Sequence, residues 1–456
     1  MNLDIFKKYN KPGPRYTSYP PATFFKSGFT TEQYIAQIIR SNDDQPQNMS
    51  FYVHIPFCPR LCHFCGCNTG IFQREEVIRR YVDAIITEIN NIAKYLDKTR
   101  KVSQIHWGGG TPNSIELRYV EEIMATFRKY FQFIEKPEIA MECHPAYLEY
   151  EDIDRLAAAG FNRLSLGVQD FDEEVLKLVN RAPSKYPVKD LVHYLKEKGF
   201  RGVNLDLIYG LPGQTKESFA RNIQKTIEVS PDRLATFSYA HVPWVKAAQK
   251  ILEKRGLPTP DQKLQMFETG HNLLTEAGYV AIGMDHYAKA DDDLATALKN
   301  KTLHRNFQGY AIRETTGQVY GFGSSSITQL WRGYVQNVKT SQQYVQEIES
   351  RGLASDKAYI LTGNDLVVRE VIAEIMCNGR MNFEEIGHQF GKAADEVKEI
   401  VAFKPEKLDE FVNDNLVSIN GNEINIHEEG FFIVRNIAMA FDPLLKTTDA
   451  MYSKTI

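Results

Sequence analysis

The sequence predicts an α/β fold, a partial (β/α)6, TIM-like barrel with an N-terminal extension before it and a mainly helical C-terminal domain with a small β-hairpin after it. Three observations lead there. Between about residues 50 and 285, short β-branched or aromatic runs alternate with helical stretches, the pattern of parallel strands joined by helical crossovers. Residues able to do chemistry recur just after those runs, where parallel sheets and barrels bind their ligands. Beyond about residue 360 the alternation gives way to short helical patterns and one strand pair around an Asn-Gly turn. With 456 residues, 43% hydrophobic and 25% charged, the chain can bury a large core, and its length suggests about three domains.

The six predicted strands are Phe51–Ile55, Gln104–Trp107, Glu138–Glu142, Arg163–Gly167, Val203–Tyr209 and Arg233–Tyr239. Between the first two, Ile78, Tyr81, Val82, Ile85, Ile89 and Ile92 recur every three or four residues and give a helix one apolar face. Thr215–Val229 and Gln262–Ala277 read the same way. The expected organisation is an extension over 1–45, the barrel over 46–290, a connecting segment over 291–360 and the C-terminal domain over 361–456. In the last, helices are expected near Asp365–Met376, Phe383–Phe390 and Lys407–Asn413, then the hairpin and a final helix, an order like a winged helix.

The densest chemical signal follows the first strand. Cys58, Cys62, Cys65 and Cys67 stand in PFCPRLCHFCGCN, and the first three form Cys-x3-Cys-x2-Cys. Three converging thiolates suggest a [4Fe–4S] cluster with one iron left open to a small molecule. Zinc is the competing reading, although structural zinc sites draw on two separated Cys/His pairs and no second pair occurs elsewhere. Disulfides belong to secreted chains, and the N-terminus MNLDIFKKYNKPGPRYTSYP has no apolar core of signal-peptide length. No apolar run approaches about eighteen residues, so no membrane span is expected and the chain reads as cytoplasmic.

The other candidates sit at equivalent strand ends. Gly108-Gly109-Gly110-Thr111-Pro112 follows the second strand, Glu142 closes the third, Gln169-Asp170 follows the fourth, Tyr209-Gly210-Leu211-Pro212 the fifth and Ala240-His241 the sixth. Each has an ordinary reading: the glycines as a tight turn, Glu142 as a helix cap, Asp206 as half of an ion pair. Their shared position points instead to one cavity. Net charge −4 gives no reason to expect nucleic acid. Residues 361–456 carry nine Lys/Arg against 17 Asp/Glu, a net of −8 that disfavours a phosphate backbone even for a winged helix and leaves +4 on the rest.

These residues resemble the radical S-adenosylmethionine superfamily. The segments PGPRYTSYP, YVHIPFC, HWGGGTP, FNRLSLGVQDF, DLIYGLPGQT, GMDHYA and HRNFQGY, with RNIAMAFD near the end, narrow the likeness to the oxygen-independent coproporphyrinogen III dehydrogenase family, nearly end to end. The resemblance implies a barrel of the radical S-adenosylmethionine type, with Cys58, Cys62 and Cys65 as cluster ligands and Cys67 outside the set. It also implies two molecules of S-adenosylmethionine. Tyr52, Gly109, Glu142 and Ile327 match contacts to the cluster-bound one, and Phe64, Gly110, Thr111, Gln169, Arg181, Asp206 and Ala240 match contacts to the second. Tyr52, Glu142, Phe307 and Gln308 are the implied catalytic and supporting positions.

The activity implied is oxidative decarboxylation of two propionates of coproporphyrinogen III to vinyl groups, giving protoporphyrinogen IX, in a monomer served by an electron donor and an acceptor that the sequence does not identify. A substrate with four propionates needs cations, and Arg15 and Arg305 lie inside the family-specific segments. Haem-delivery relatives and haem-opening radical enzymes are the competing functions. The RYTSYP segment and Cys67 argue against delivery. One departure from the family pattern is Glu142-Cys143-His144-Pro145, where an acidic residue often precedes the proline; a packing or loop role is expected for Cys143 and His144.

Overall fold

The structure, a computed structural model, describes residues 3–71, 73–313 and 317–445. Six strands carry the barrel: β1 Met49–Ile55, β2 Lys101–Gly109, β3 Gln132–Cys143, β4 Arg163–Gln169, β5 Gly202–Tyr209 and β6 Arg233–Ser238. They pair side by side in chain order, every pair parallel. Every expected strand is present, five of them within three residues of their expected bounds and β3 beginning six residues earlier, at Gln132 and not Glu138.

Parallel strands need helical crossovers, and the sequence supplies amphipathic ones with defined starts. In the helix Glu75–Ile92 the apolar stripe is fully buried, from Ile78 to Ile92. Lys216–Val229 begins with a capping box on Thr215, and Pro260–Glu276 with one on Thr259 and proline in its first turn.

The sheet does not stop at six strands. Beyond β6 come β7 Tyr279–Gly283 and β8 His286–Lys289, antiparallel additions at one edge. A separate hairpin, β9 Leu303–Asn306 with β10 Gly309–Ile312, carries the HRNFQGY segment. At the opposite edge β11 Gln318–Phe322 pairs in parallel with β1, and β12 Ile327–Leu330, β13 Gly333–Asn337 and β14 Ser355–Ile360 continue the sheet antiparallel. Lys26–Ser27 adds the outermost rung, giving thirteen strands in one sheet among the described residues. The stretch expected as a connecting active-site segment, 291–360, therefore also builds sheet.

The C-terminal part has helices Gly363–Asn378, Phe383–Phe390 and Ala394–Ile400, and the expected Lys407–Asn413 helix is shorter, Asp409–Asn413 after a single 3-10 turn. The hairpin β16 Val417–Asn420 with β17 Glu423–Ile426 turns at Gly421, whose φ of 64° favours glycine, and pairs with β15 Arg380–Asn382. The N-terminal segment crosses this face: Phe6 packs on Phe432, Tyr9 stacks on Phe411 at 4.6 Å, and Tyr16 donates to Asp442 at 3.0 Å. One continuous apolar core runs through all these regions. Among the described residues no helix is long and apolar enough to cross a membrane.

Candidate active site

The cysteine loop leaves β1 and is clipped at its base, where Phe57–Cys58 pairs with Gly70–Ile71. Cys58 Sγ lies 3.0 Å from Thr69 Oγ1 and 3.3 Å from Thr111 Oγ1, and Cys62 Sγ accepts from Arg181 Nη1 at 3.4 Å. Burial raises the Cys58 and Cys62 thiols, with Arg181 pulling Cys62 back down, while a hydrogen bond with Cys67 lowers Cys65. Cys58, Cys62, Cys65 and Cys67 line one cavity of about 600 Å³. Among the described residues no three His, Cys, Asp or Glu side chains form a group that could hold a metal ion. Three thiols lining one cavity are the donor set a [4Fe–4S] cubane takes.

The glycine run explains how the wall closes. A Cβ on Gly110 would stand 2.8 Å from Phe57 O and 3.0 Å from Cys58 Sγ, and one on Gly108 3.0 Å from Glu142 Oε2. Gly109 has a φ of +116°, and a Cβ there would meet Ile55 O at 2.9 Å. Side chains are excluded because the cysteine loop and the β3 carboxylate need that space. Glu142 Oε1 meets His106 Nε2 at 3.2 Å, and Tyr52 stacks on His106 and bonds His54 Nδ1 at 3.1 Å. Burial lowers His54 and raises Tyr52, so both stay neutral.

Across the cavity, Gln169 ends β4 with a φ of +69°, a conformation non-glycine residues rarely adopt. Its Oε1, and Arg181 Nε beside it, are buried and have no hydrogen-bond partner among the described residues. Arg181 Nη2 donates to Gly167 O. Orphaned polar atoms on two residues that line the cavity fit a polar ligand with both donors and acceptors. Asp206 is pushed up to about 6, by burial first, while Ser165 at 2.9 Å and Asn204 at 2.8 Å donate to it. Phe64, Thr111 and Ala240 complete this wall.

The cavity also takes in Arg15 and Gln308. Four expected site residues do not line it. Tyr52 stands behind His106; Phe307 and Ile327 pack beside Tyr334 and Trp331; Arg305 borders a second cavity of about 330 Å³ and donates to Arg15 O. His144 is buried, lowered to about 2, and accepts from Ala146 N at 3.2 Å, so it caps a turn; Cys143 packs in the core.

Sequence reasoning missed the barrel's polar interior. Ser50, Gln104, His106, Glu138, Ser165 and Asn204 line the cavity, and Arg163 bridges Glu138 at 2.9 Å inside it. The signal was present as period-two alternation of polar with apolar residues in each strand, as in Gln104-Ile105-His106 and Ser165-Leu166.

Residues 52–225 match the radical SAM superfamily model. Oxygen-independent coproporphyrinogen III oxidases are similar over nearly the full length: that of Escherichia coli K12 is 41% identical over 98% of this chain and 96% of the relative, and that of Synechocystis is 37% identical over 100% and 98%. The solved structure of coproporphyrinogen III oxidase (HemN) from Escherichia coli, a radical SAM enzyme, superposes with a TM-score of 0.90 at 38% identity, covering 97% of this chain and 99% of that one. The chain therefore belongs to the oxygen-independent coproporphyrinogen III oxidase family, within the radical SAM superfamily.

Proposed function

We propose that this protein converts the ring A and ring B propionates of coproporphyrinogen III to vinyl groups, yielding protoporphyrinogen IX and carbon dioxide without consuming oxygen; from each propionate one hydrogen atom goes to the radical and one electron to an acceptor. When bound, a [4Fe–4S] cluster with two molecules of S-adenosylmethionine supplies the reducing electron and the carbon radical that removes a hydrogen atom from each propionate. The chain's residues do the rest. Cys58, Cys62 and Cys65 are the three thiolates that would hold the cluster, and Cys67 supports Cys65 from outside the set. Glu142 and the Gly109 backbone would hold the first S-adenosylmethionine, with Tyr52 and His106 fixing the carboxylate, while Gly110 and Thr111 would face the second. Arg181 and Gln169 would take the carboxylate and amino groups of the second, Asp206 its ribose hydroxyls, and Phe64 and Ala240 its adenine. Phe307 and Ile327 would support these contacts from the adjoining apolar cluster, with Gln308 at the cavity wall.

Arg15 and Arg305 are assigned to propionate binding, joined by the contact from Arg305 to the Arg15 carbonyl. Residues 361–445 act as a helical cover, tied to the N-terminal segment at Tyr9 and Tyr16, and the remainder of the expected cover, 446–456, lies outside the described residues. The observation carrying this reading is the convergence on one cavity of three thiols, the Glu142 carboxylate and two residues with orphaned polar atoms, Gln169 and Arg181, in a chain aligned end to end with named coproporphyrinogen oxidases. Anaerobic incubation with coproporphyrinogen III, S-adenosylmethionine and dithionite tests it. Protoporphyrin products with carbon dioxide release are expected; bound, unreacted haem or a linear tetrapyrrole would overturn it.

A further inference from the structure

Large apolar side chains exposed in isolation are ordinary, but grouped ones mark contact surfaces. Three of the eight exposed large hydrophobic residues among the described residues lie between 244 and 251: Trp244 is 57% exposed, Val245 65% and Ile251 40%. The segment holding them is fastened to the cysteine loop. Lys246 Nζ donates to Cys67 O at 2.6 Å, and the buried Gln249 donates to Phe64 O at 3.0 Å. At most about 7 Å of chain separates Trp244 from Lys246, so the patch adjoins the loop directly. On that loop Pro59, Arg60, Gly66 and Cys67 are also exposed, the last three at the cavity wall.

The surroundings are cationic. Lys246 reaches the loop at Cys67 O, Arg60 is exposed on it, and Arg255 donates to the carbonyl of Leu178, whose neighbour Val179 accepts from His63 N of the loop. Lys250 and Lys254 are exposed on the following helical turns, and Glu253, the acidic residue among them, is engaged by His241 at 2.9 Å. The chain as a whole carries −4, so this positive face is local.

We propose that the Trp244–Ile251 patch with its lysine and arginine rim is the docking surface for an acidic one-electron carrier protein that reduces the cluster. The inference rests on the function proposed above. Docking there brings a redox group to the side of the barrel where the cysteine loop meets solvent, with the apolar centre giving affinity and the charges guiding approach. The transfer moves one electron per event from the reduced carrier to the cluster, and no atoms are exchanged.

The test compares wild-type holoenzyme with Trp244→Ala/Val245→Ser and Lys250→Glu/Lys254→Glu variants. Binding is titrated with two oxidised acidic carriers, a flavodoxin-class FMN protein and a plant-type [2Fe–2S] protein, and turnover is driven separately by each reduced carrier or by dithionite. At least one carrier should bind wild type, with an affinity that falls as salt rises. Both variants should bind it at least tenfold more weakly and lose carrier-driven turnover in proportion, while dithionite-driven turnover stays at the wild-type rate. Wild type binding neither carrier, variants binding equally well, or a patch buried in a homodimer by sedimentation would overturn the proposal. Failure of dithionite-driven porphyrinogen conversion would count against the function itself.

Discussion

Glu88 is fully buried in the helix Glu75–Ile92, and its carboxylate gathers three donors: Tyr344 at 2.6 Å, Asn337 at 2.8 Å and Gly323 N at 3.1 Å. Burial outweighs these bonds and raises it from 4.5 to about 7. A folded value above the unfolded one means that protonation stabilises the fold: the contribution is whole below about pH 4.5 and lost as pH rises through 7. Two to three pH units at about 1.4 kcal/mol each put the loss near 3 kcal/mol. Glu88→Gln, with its oxygen in the Oε2 position, keeps an acceptor for Tyr344 and Gly323 N and turns its amide toward Asn337, but removes the titration.

Anaerobic urea unfolding of both proteins should therefore show wild type losing up to about 3 kcal/mol relative to Glu88→Gln between pH 5 and pH 8. In the wild-type minus Glu88→Gln infrared difference spectrum, the protonated carboxyl band should disappear near pH 7, above the range in which Asp206 titrates. A stability difference flat across that range, or a carboxyl titrating near 4.5, would refute the reasoning. The network also matters to the site. Gly323 begins the turn leading to Ile327, Tyr81 joins Ser324 N to His54 O, and Asn68 of the cysteine loop donates to Ser325 at 2.9 Å.

Gly110→Ala would force a methyl to within 2.8 Å of the Phe57 carbonyl, an overpacking cost of about 1–3 kcal/mol, so iron content should fall sharply while the circular dichroism spectrum persists; full iron loading would contradict the cradle argument. Cys62→Ser should abolish a four-iron cluster and Cys67→Ser should retain it, measured by iron and sulfide after anaerobic reconstitution; equal loss in both would place Cys67 among the ligands. Arg15→Ala should lower porphyrinogen turnover at least tenfold while leaving cluster assembly intact, and unchanged turnover would remove it from the substrate site.

The barrel was legible because its strands and helices announce themselves locally: the Ile78–Ile92 stripe has one period, the strands another, and the chemistry-bearing turns fall where parallel strands end. The later sheet was not. β11 pairs with β1 across more than 260 residues, and in Gln318–Phe322 nothing local distinguishes a sheet strand from a loop. The candidate site was legible through dense motifs, Cys58 to Cys67 and Gly108 to Pro112. His54 and His106 escaped because a lone histidine in a strand gains meaning only from what faces it, here Tyr52 and Glu142. The placement of Phe307 and Ile327 in an apolar cluster beside the cavity likewise depends on long-range packing against Tyr334.

The central claim is a cluster held by three cysteines with one iron open to S-adenosylmethionine. Mössbauer spectra of anaerobically reconstituted, ⁵⁷Fe-labelled protein test it most directly. The account predicts about four irons per chain and, on adding S-adenosylmethionine, one iron in four shifting to a distinct site. Four equivalent irons that ignore the addition, or a preparation holding zinc alone, would contradict it.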